Sequence, residues 1–189
     1  MKIILASQSP RRLEILNKHG ISPIVMPADV DETLPEDISM EEAVKMLALK
    51  KAEAVYDSIK NSHEYRDSII IGSDTIVYKN GIMGKPVDHD DAFRMLSSIR
   101  NTSHYVATGV ALIDSNTGKS TVLCDITTVY CKDYSDAEIE EYIAECQPFD
   151  KAGSYAIQGE FSKYIDHIDG DYENVVGLPF HLIEKYLIK

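Results

Sequence analysis

The stretch Ile69-Ile70-Ile71-Gly72-Ser73-Asp74-Thr75-Ile76-Val77 decides how the rest of the chain is read. Three consecutive isoleucines bounded by a turn signal are too short a run for a core helix and predict a buried β-strand. Gly72 and Ser73 interrupt that run before Ile76-Val77-Tyr78 resumes it, so Asp74 is expected at a strand end. A carboxylate there can open onto a cleft while the sheet fixes its backbone. The commoner role of an Asp in such a place is to close a turn, so its surroundings decide between the two.

Downstream, Lys79-Asn80-Gly81 lies between apolar runs, and Asn-Gly there is the strongest short hairpin signal. The return strand brings Lys85, in Gly84-Lys85-Pro86, back towards Asp74. Gly81 to Pro86 is not a Walker loop, which needs four residues between its glycines and Ser or Thr after the lysine. Upstream, Ser39-Met40-Glu41-Glu42 is a capping box opening a long helix with Ala43, Met46, Leu47, Ala54 and Val55 in helical rhythm. Lys45 and Lys51 fall on its other face, where solvation is the default.

Lys2 to Ala6 predicts a first strand, and Ser9-Pro10 begins a helix that reaches about Lys18 and stops at Gly20. Ser7, Ser9, Arg11 and Arg12 gather at that helix's N-terminus, where backbone donors, dipole and cations suit an anion. A capped surface helix with two solvated arginines fits the same residues equally well. Ile21 to Met26 predicts a second strand, and the proline-bounded segment Pro27 to Asp37 holds five carboxylates in nine residues. Such a loop is usually solvated; it can also hold a hard cation, since Mg²⁺ takes one or two carboxylates together with substrate phosphates.

In the second half, Asp88 or Asp90 caps a helix to Ile99, and Tyr105 to Ile113 and Thr121 to Cys131 form a hairpin about Ser115-Asn116-Thr117-Gly118. The sheet is therefore mixed. Ser135-Asp136-Ala137-Glu138 is a second capping box, Phe149 to Gly159 an irregular loop of the kind that carries function, Phe161 to Ile168 a strand, and Gly177-Leu178-Pro179 precedes a last helix. The 189 residues, 44% of them hydrophobic, suit a single domain over 1–189, with two lobes and no separate domains. A net charge of -12 disfavours nucleic acid and anionic membranes. Three cysteines without metal-ligand spacing, and no signal peptide or membrane-length run, predict a soluble cytoplasmic protein.

Isolated basic groups, a strand-end Asp and an acidic loop suit metal-assisted chemistry at polyphosphate, where charge neutralisation and alignment dominate. Leu5-Ala6-Ser7-Gln8-Ser9-Pro10-Arg11-Arg12, Asp31-Glu32, Leu47-Ala48-Leu49-Lys50-Lys51-Ala52, Gly72-Ser73-Asp74-Thr75, Gly84-Lys85-Pro86, Asp150-Lys151-Ala152-Gly153, Ile157-Gln158-Gly159 and Val176-Gly177-Leu178-Pro179 together resemble the Maf family of nucleoside triphosphate pyrophosphatases. Eight fragments in order, nearly end to end, are far more specific than any one of them. The resemblance implies an α/β fold similar to inosine triphosphate pyrophosphatases: an elongated mixed sheet with flanking helices in two lobes and an active-site cleft between them. It implies hydrolysis of a nucleoside triphosphate to the monophosphate and pyrophosphate with Mg²⁺ or Mn²⁺. Asp74 matches the catalytic carboxylate and a metal ligand, Glu32 its acidic partner near the metal, Lys51 and Lys85 phosphate-binding lysines, and Ser7 and Arg12 the phosphate-facing loop.

Arg11, Thr75 and Gln158 resemble the branch acting on dTTP and UTP; the 7-methyl-GTP branch carries Trp, Gln and Glu at the matching places. A Gln amide can pair with O4 and N3–H of uracil or thymine together. It also fits the Hoogsteen edge of adenine, so amide chemistry alone does not select pyrimidine. Ser73 is compatible with either branch. The resemblance also suggests a homodimer and, as a reading of another class, a regulatory protein that inhibits septum formation by nucleotide-dependent binding.

Overall fold

A computed structural model describes residues 1–187. One sheet has the strand order β2-β1-β3-β5-β6-β7, with β4 paired to β3. The strands are β1 (Lys2–Leu5), β2 (Ile24–Val25), β3 (Ser68–Tyr78), β4 (Ile82–Met83), β5 (Ser103–Asp114), β6 (Ser120–Cys131) and β7 (Ile165–Asp169). β1 pairs in parallel with β2 and β3, whereas β3–β4 and β6–β7 are antiparallel. The mixed α/β sheet expected from the sequence is present. The helices are α1 (Pro10–Lys18), α2 (Met40–Ile59), α3 (His89–Ile99), α4 (Asp136–Cys146), α5 (Tyr172–Val176) and α6 (Phe180–Leu187). No helix among the described residues is long and apolar enough to cross a membrane.

Local chemistry sets most boundaries. Both capping boxes form, Ser39 with Glu42 and Ser135 with Glu138, and Asp88 caps α3 by accepting from the Asp91 N–H. Asn80, in the left-handed region at φ 56°, makes the β3–β4 turn. Two expectations need correction, and one element is additional. β3 does not break at Gly72-Ser73, so Asp74 sits inside a continuous strand rather than at its end. The expected strand from Phe161 is a 3-10 turn over Glu160–Tyr164 before β7 begins. α5, a short helix for which the sequence gives no expectation, has its Glu173 and Asn174 N–H groups capped by the Asp171 carboxylate.

The chain divides into two compact units, Met1–Asp74 with Thr108–Asp125 and Gly177–Lys189, and Thr75–Ala107 with Ile126–Val176. In the first unit α2 lies on β1, β3 and β5: Ala48, Ala52, Val55 and Ile59 pack with Ile4, Ala6, Ile70, Ala111 and Ile113. Two glycines allow the backbones to meet. A Cβ on Gly72 would stand 2.2 Å from the Ala48 carbonyl oxygen, and one on Gly109 2.2 Å from that of Val44. Gly72 therefore serves close helix–strand contact, which explains why it does not interrupt β3. In the second unit, Tyr134, Tyr142, Tyr155, Phe161 and Tyr164 form an aromatic cluster under the segment after α4.

Candidate active site

Close docking of α2 on β3 brings Lys51 to Asp74. The Lys51 ammonium donates to Asp74 Oδ1 at 2.6 Å and lies 2.6 Å from Glu32 Oε1. Only 12% of either side chain of the Lys51–Asp74 pair is exposed, against 55% for Glu32. Solvation, the default for Lys51, is thus replaced by a shielded ion pair. Charges so far from water interact more strongly than a surface pair does, and removing one partner leaves the other poorly compensated. The acidic loop is tied to α2 twice, because Lys50 Nζ also donates to the Asp31 carbonyl at 3.2 Å. That tether holds Glu32 over Lys51.

α1 supplies the second group. Arg12 is half-buried, with Nη1 donating to Ser7 Oγ at 2.9 Å and Nε to the Gly177 carbonyl at 2.8 Å. Ser9 occupies the N-cap position but its side chain does not cap; Ser7 Oγ instead accepts the Ser9 N–H at 3.2 Å. Burial pulls the Arg12 guanidinium below its ordinary value, the charges of Asp74 and Glu32 oppose this, and that of Arg11 adds to it. Arg12 therefore shares an electrostatic neighbourhood with both carboxylates and with Arg11, and remains a cation, as arginine does in proteins. α2, α3 and α4 open with carboxylates in the first turn whereas α1 opens with Arg11 and Arg12. The positive end of its dipole is thus reinforced rather than neutralised, a field that suits an anion.

The structure brings together Glu32, Lys51, Asp74, Ser7, Arg12 and Arg11, all in the first unit. Lys85, Thr75 and Gln158 belong to the second. Lys85 follows β4 and is exposed; the neighbouring Gly84 carbonyl accepts the Gly153 N–H at 3.0 Å, which ties its loop to the segment leading to Gln158. Gln158 is exposed, between Ile157, which is buried, and Gly159, which is exposed and has φ 82°. Thr75 is half-buried in β3. Sequence reasoning gave no weight to Ser73, whose hydroxyl donates to the Gly177 carbonyl at 2.9 Å. The available signal was a hydroxyl directly before Asp74, after a run of three isoleucines and a glycine in the same strand.

The donor chemistry also bears on a cation. Glu32 and Asp74 each place an oxygen 2.6 Å from one ammonium nitrogen, so those oxygens are at most twice that far apart. Two hard carboxylate donors already sharing one positive charge fit Mg²⁺ or Mn²⁺ in ligand type and proximity.

A family model described as Maf-like protein matches residues 2–189. The chain is 42% identical over 189 residues to a dTTP/UTP pyrophosphatase of Caldicellulosiruptor bescii, covering all of this chain and 94% of the relative. It is 45% identical over 178 residues to a dTTP/UTP pyrophosphatase of Alkaliphilus oremlandii, covering 94% and 90%. Among solved structures, the Staphylococcus aureus Ham1 protein matches 70% of this chain and 73% of its own, with 15% identity and a TM-score of 0.48.

Proposed function

The chain belongs to the Maf family, and we propose that it hydrolyses dTTP and UTP to the nucleoside monophosphate and pyrophosphate. The observation that carries the reading is the shielded Asp74–Lys51 pair with Glu32 beside it. Asp74 accepts a proton as a water oxygen bonds to phosphorus. The α–β anhydride bond breaks, and its electron pair leaves with the bridging oxygen of pyrophosphate. General-base assistance of this kind is worth roughly 10² to 10⁴ in rate. Lys51, Arg12 and Lys85 neutralise charge that accumulates on the phosphates, and Ser7 orients Arg12. Glu32 and Asp74 would hold the Mg²⁺ or Mn²⁺, which when bound supplies Lewis-acid neutralisation of the polyphosphate.

Specificity is assigned to Gln158 with Arg11 and Thr75: the Gln158 amide donates to O4 and accepts from N3–H of the pyrimidine. The names of the two relatives support the same base choice. The reading places the enzyme in the cytoplasm, as a homodimer acting on free nucleotides.

Phosphorus NMR of a dTTP digest in ¹⁸O-water tests the reaction. The expected products are dTMP and pyrophosphate in equal amounts, with one labelled oxygen per turnover. Release of orthophosphate with dTDP would overturn the reading.

A further inference from the structure

Ser73 precedes Asp74 in β3 and is completely buried, with 0% exposure. Its hydroxyl and Arg12 Nε converge on one acceptor, the Gly177 carbonyl, at 2.9 and 2.8 Å. Arg12 is fixed from another side by Ser7 Oγ, 2.9 Å from Nη1. Three stretches of sequence therefore meet at this point: the β1–α1 junction, β3, and the turn between α5 and α6. A guanidinium is planar with its donors in fixed directions, so holding Nε and one Nη defines both its plane and its rotation. Gly177 has φ 121°, a conformation that glycine adopts far more readily than residues with a side chain.

We infer that Ser73 is a positioning residue for Arg12, acting through the Gly177 carbonyl to hold the guanidinium in a set orientation to Asp74. The inference rests on the reading of Arg12 as a phosphate-binding group. Ser73 itself is too deeply buried to touch substrate. Its hydroxyl locks the Gly177 peptide, the peptide locks Arg12, and the next residue along β3 is the carboxylate that takes the proton. One strand thereby sets the register between the group that activates water and a group that receives the phosphates. Loss of the hydroxyl leaves Gly177 with one fewer of these two donors and frees the peptide to rotate. Arg12 then samples orientations that no longer match a phosphate.

The test is a double-mutant cycle of Ser73→Ala and Arg12→Lys, which keeps the charge at position 12 but removes the planar fork. KM and kcat for dTTP, the dissociation constant of inorganic pyrophosphate by calorimetry, and melting temperature are measured for all four proteins. One neutral hydrogen bond sets the scale. Ser73→Ala is expected to raise KM and the pyrophosphate constant about three- to tenfold with kcat within about twofold. In the Arg12→Lys background it should change neither, while lowering the melting temperature equally in both. A purely structural role predicts equal losses in both backgrounds, and that result, or an unchanged KM, overturns the inference. Should Ser73→Ala not fold, Ser73→Cys, of similar size and a weaker donor, enters the same cycle with the same criteria. A wild type that binds pyrophosphate but leaves dTTP intact contradicts the functional reading, while the calorimetric arm still decides for or against Ser73. A wild type that does neither overturns both.

Discussion

Asp74 and Lys51 are 23 residues apart in sequence and 2.6 Å apart in space. Replacing Asp74 with Asn keeps shape and one acceptor but removes basicity and negative charge. We expect kcat to fall at least about 100-fold, the lower end for general-base catalysis, with the nucleotide dissociation constant within a few-fold of wild type. Paired turnover and calorimetric measurements decide this, and activity within a few-fold of wild type would refute the assignment. In the proposed pairing of Gln158 with the pyrimidine, substitution by Glu replaces the donor to O4 with an oxygen that repels it. A mismatched polar contact costs about 1 to 3 kcal/mol, so kcat/KM for dTTP and UTP should drop tenfold or more. GTP, which offers N1–H and N2–H₂ donors, should lose less; a uniform loss across bases would place Gln158 in a structural or phosphate role. Asp74, Glu32 and Lys51 were each legible through motifs resembling one family, whereas their mutual contact was not. A lysine on the polar face of a helix is solvated by default, and nothing local signals that distant carboxylates reach it.

The same asymmetry governs the elements. Capping boxes and the Asn80-Gly81 turn are local chemistry and were readable, because donor and acceptor lie within a few residues. Gly72 was misread because its reason is the backbone of α2, remote in sequence. Gly72→Ala would put a methyl group 2.2 Å from the Ala48 carbonyl oxygen, closer than any real contact, so α2 must move. Overpacking of this kind costs about 1 to 3 kcal/mol, and the displacement carries Lys51 away from Asp74. Urea denaturation and kcat should fall together; a stable variant with unaltered turnover would mean that this docking does not set the site.

Elsewhere on β5, His104 is buried, with Nε2 2.6 Å from the Tyr155 hydroxyl, pinning the segment that leads to Gln158. Burial, with a smaller contribution from the charge of Lys79, draws its pKa down to about 4. The unfolded imidazole, near 6.5, binds a proton more readily. His104 therefore contributes stability that is fully present above about pH 6.5 and is lost as pH falls towards 4. Linkage gives a loss of about 2 kcal/mol between pH 7 and pH 5. Denaturation at both pH values, compared with His104→Gln, should show that much less pH dependence in the variant; identical slopes would contradict it.

At the scale of the molecule, a chain carrying a net charge of -12 must receive a polyanion. The reading answers this with local charge: Arg11 and Arg12 at the α1 N-terminus, Lys51, Lys85, and a divalent cation on Glu32 and Asp74. EDTA should abolish turnover and Mg²⁺ or Mn²⁺ restore it, whereas full activity under rigorous chelation would remove the cation from the account. The most direct test of the central claim is kcat/KM for dTTP, UTP, CTP, GTP and 7-methyl-GTP at one fixed metal concentration, followed as pyrophosphate release. The account predicts dTTP and UTP at the head of that series by at least tenfold, as expected of a site that pairs with O4 and N3–H. A preference for GTP or 7-methyl-GTP, or no pyrophosphate from any of the five, would contradict it.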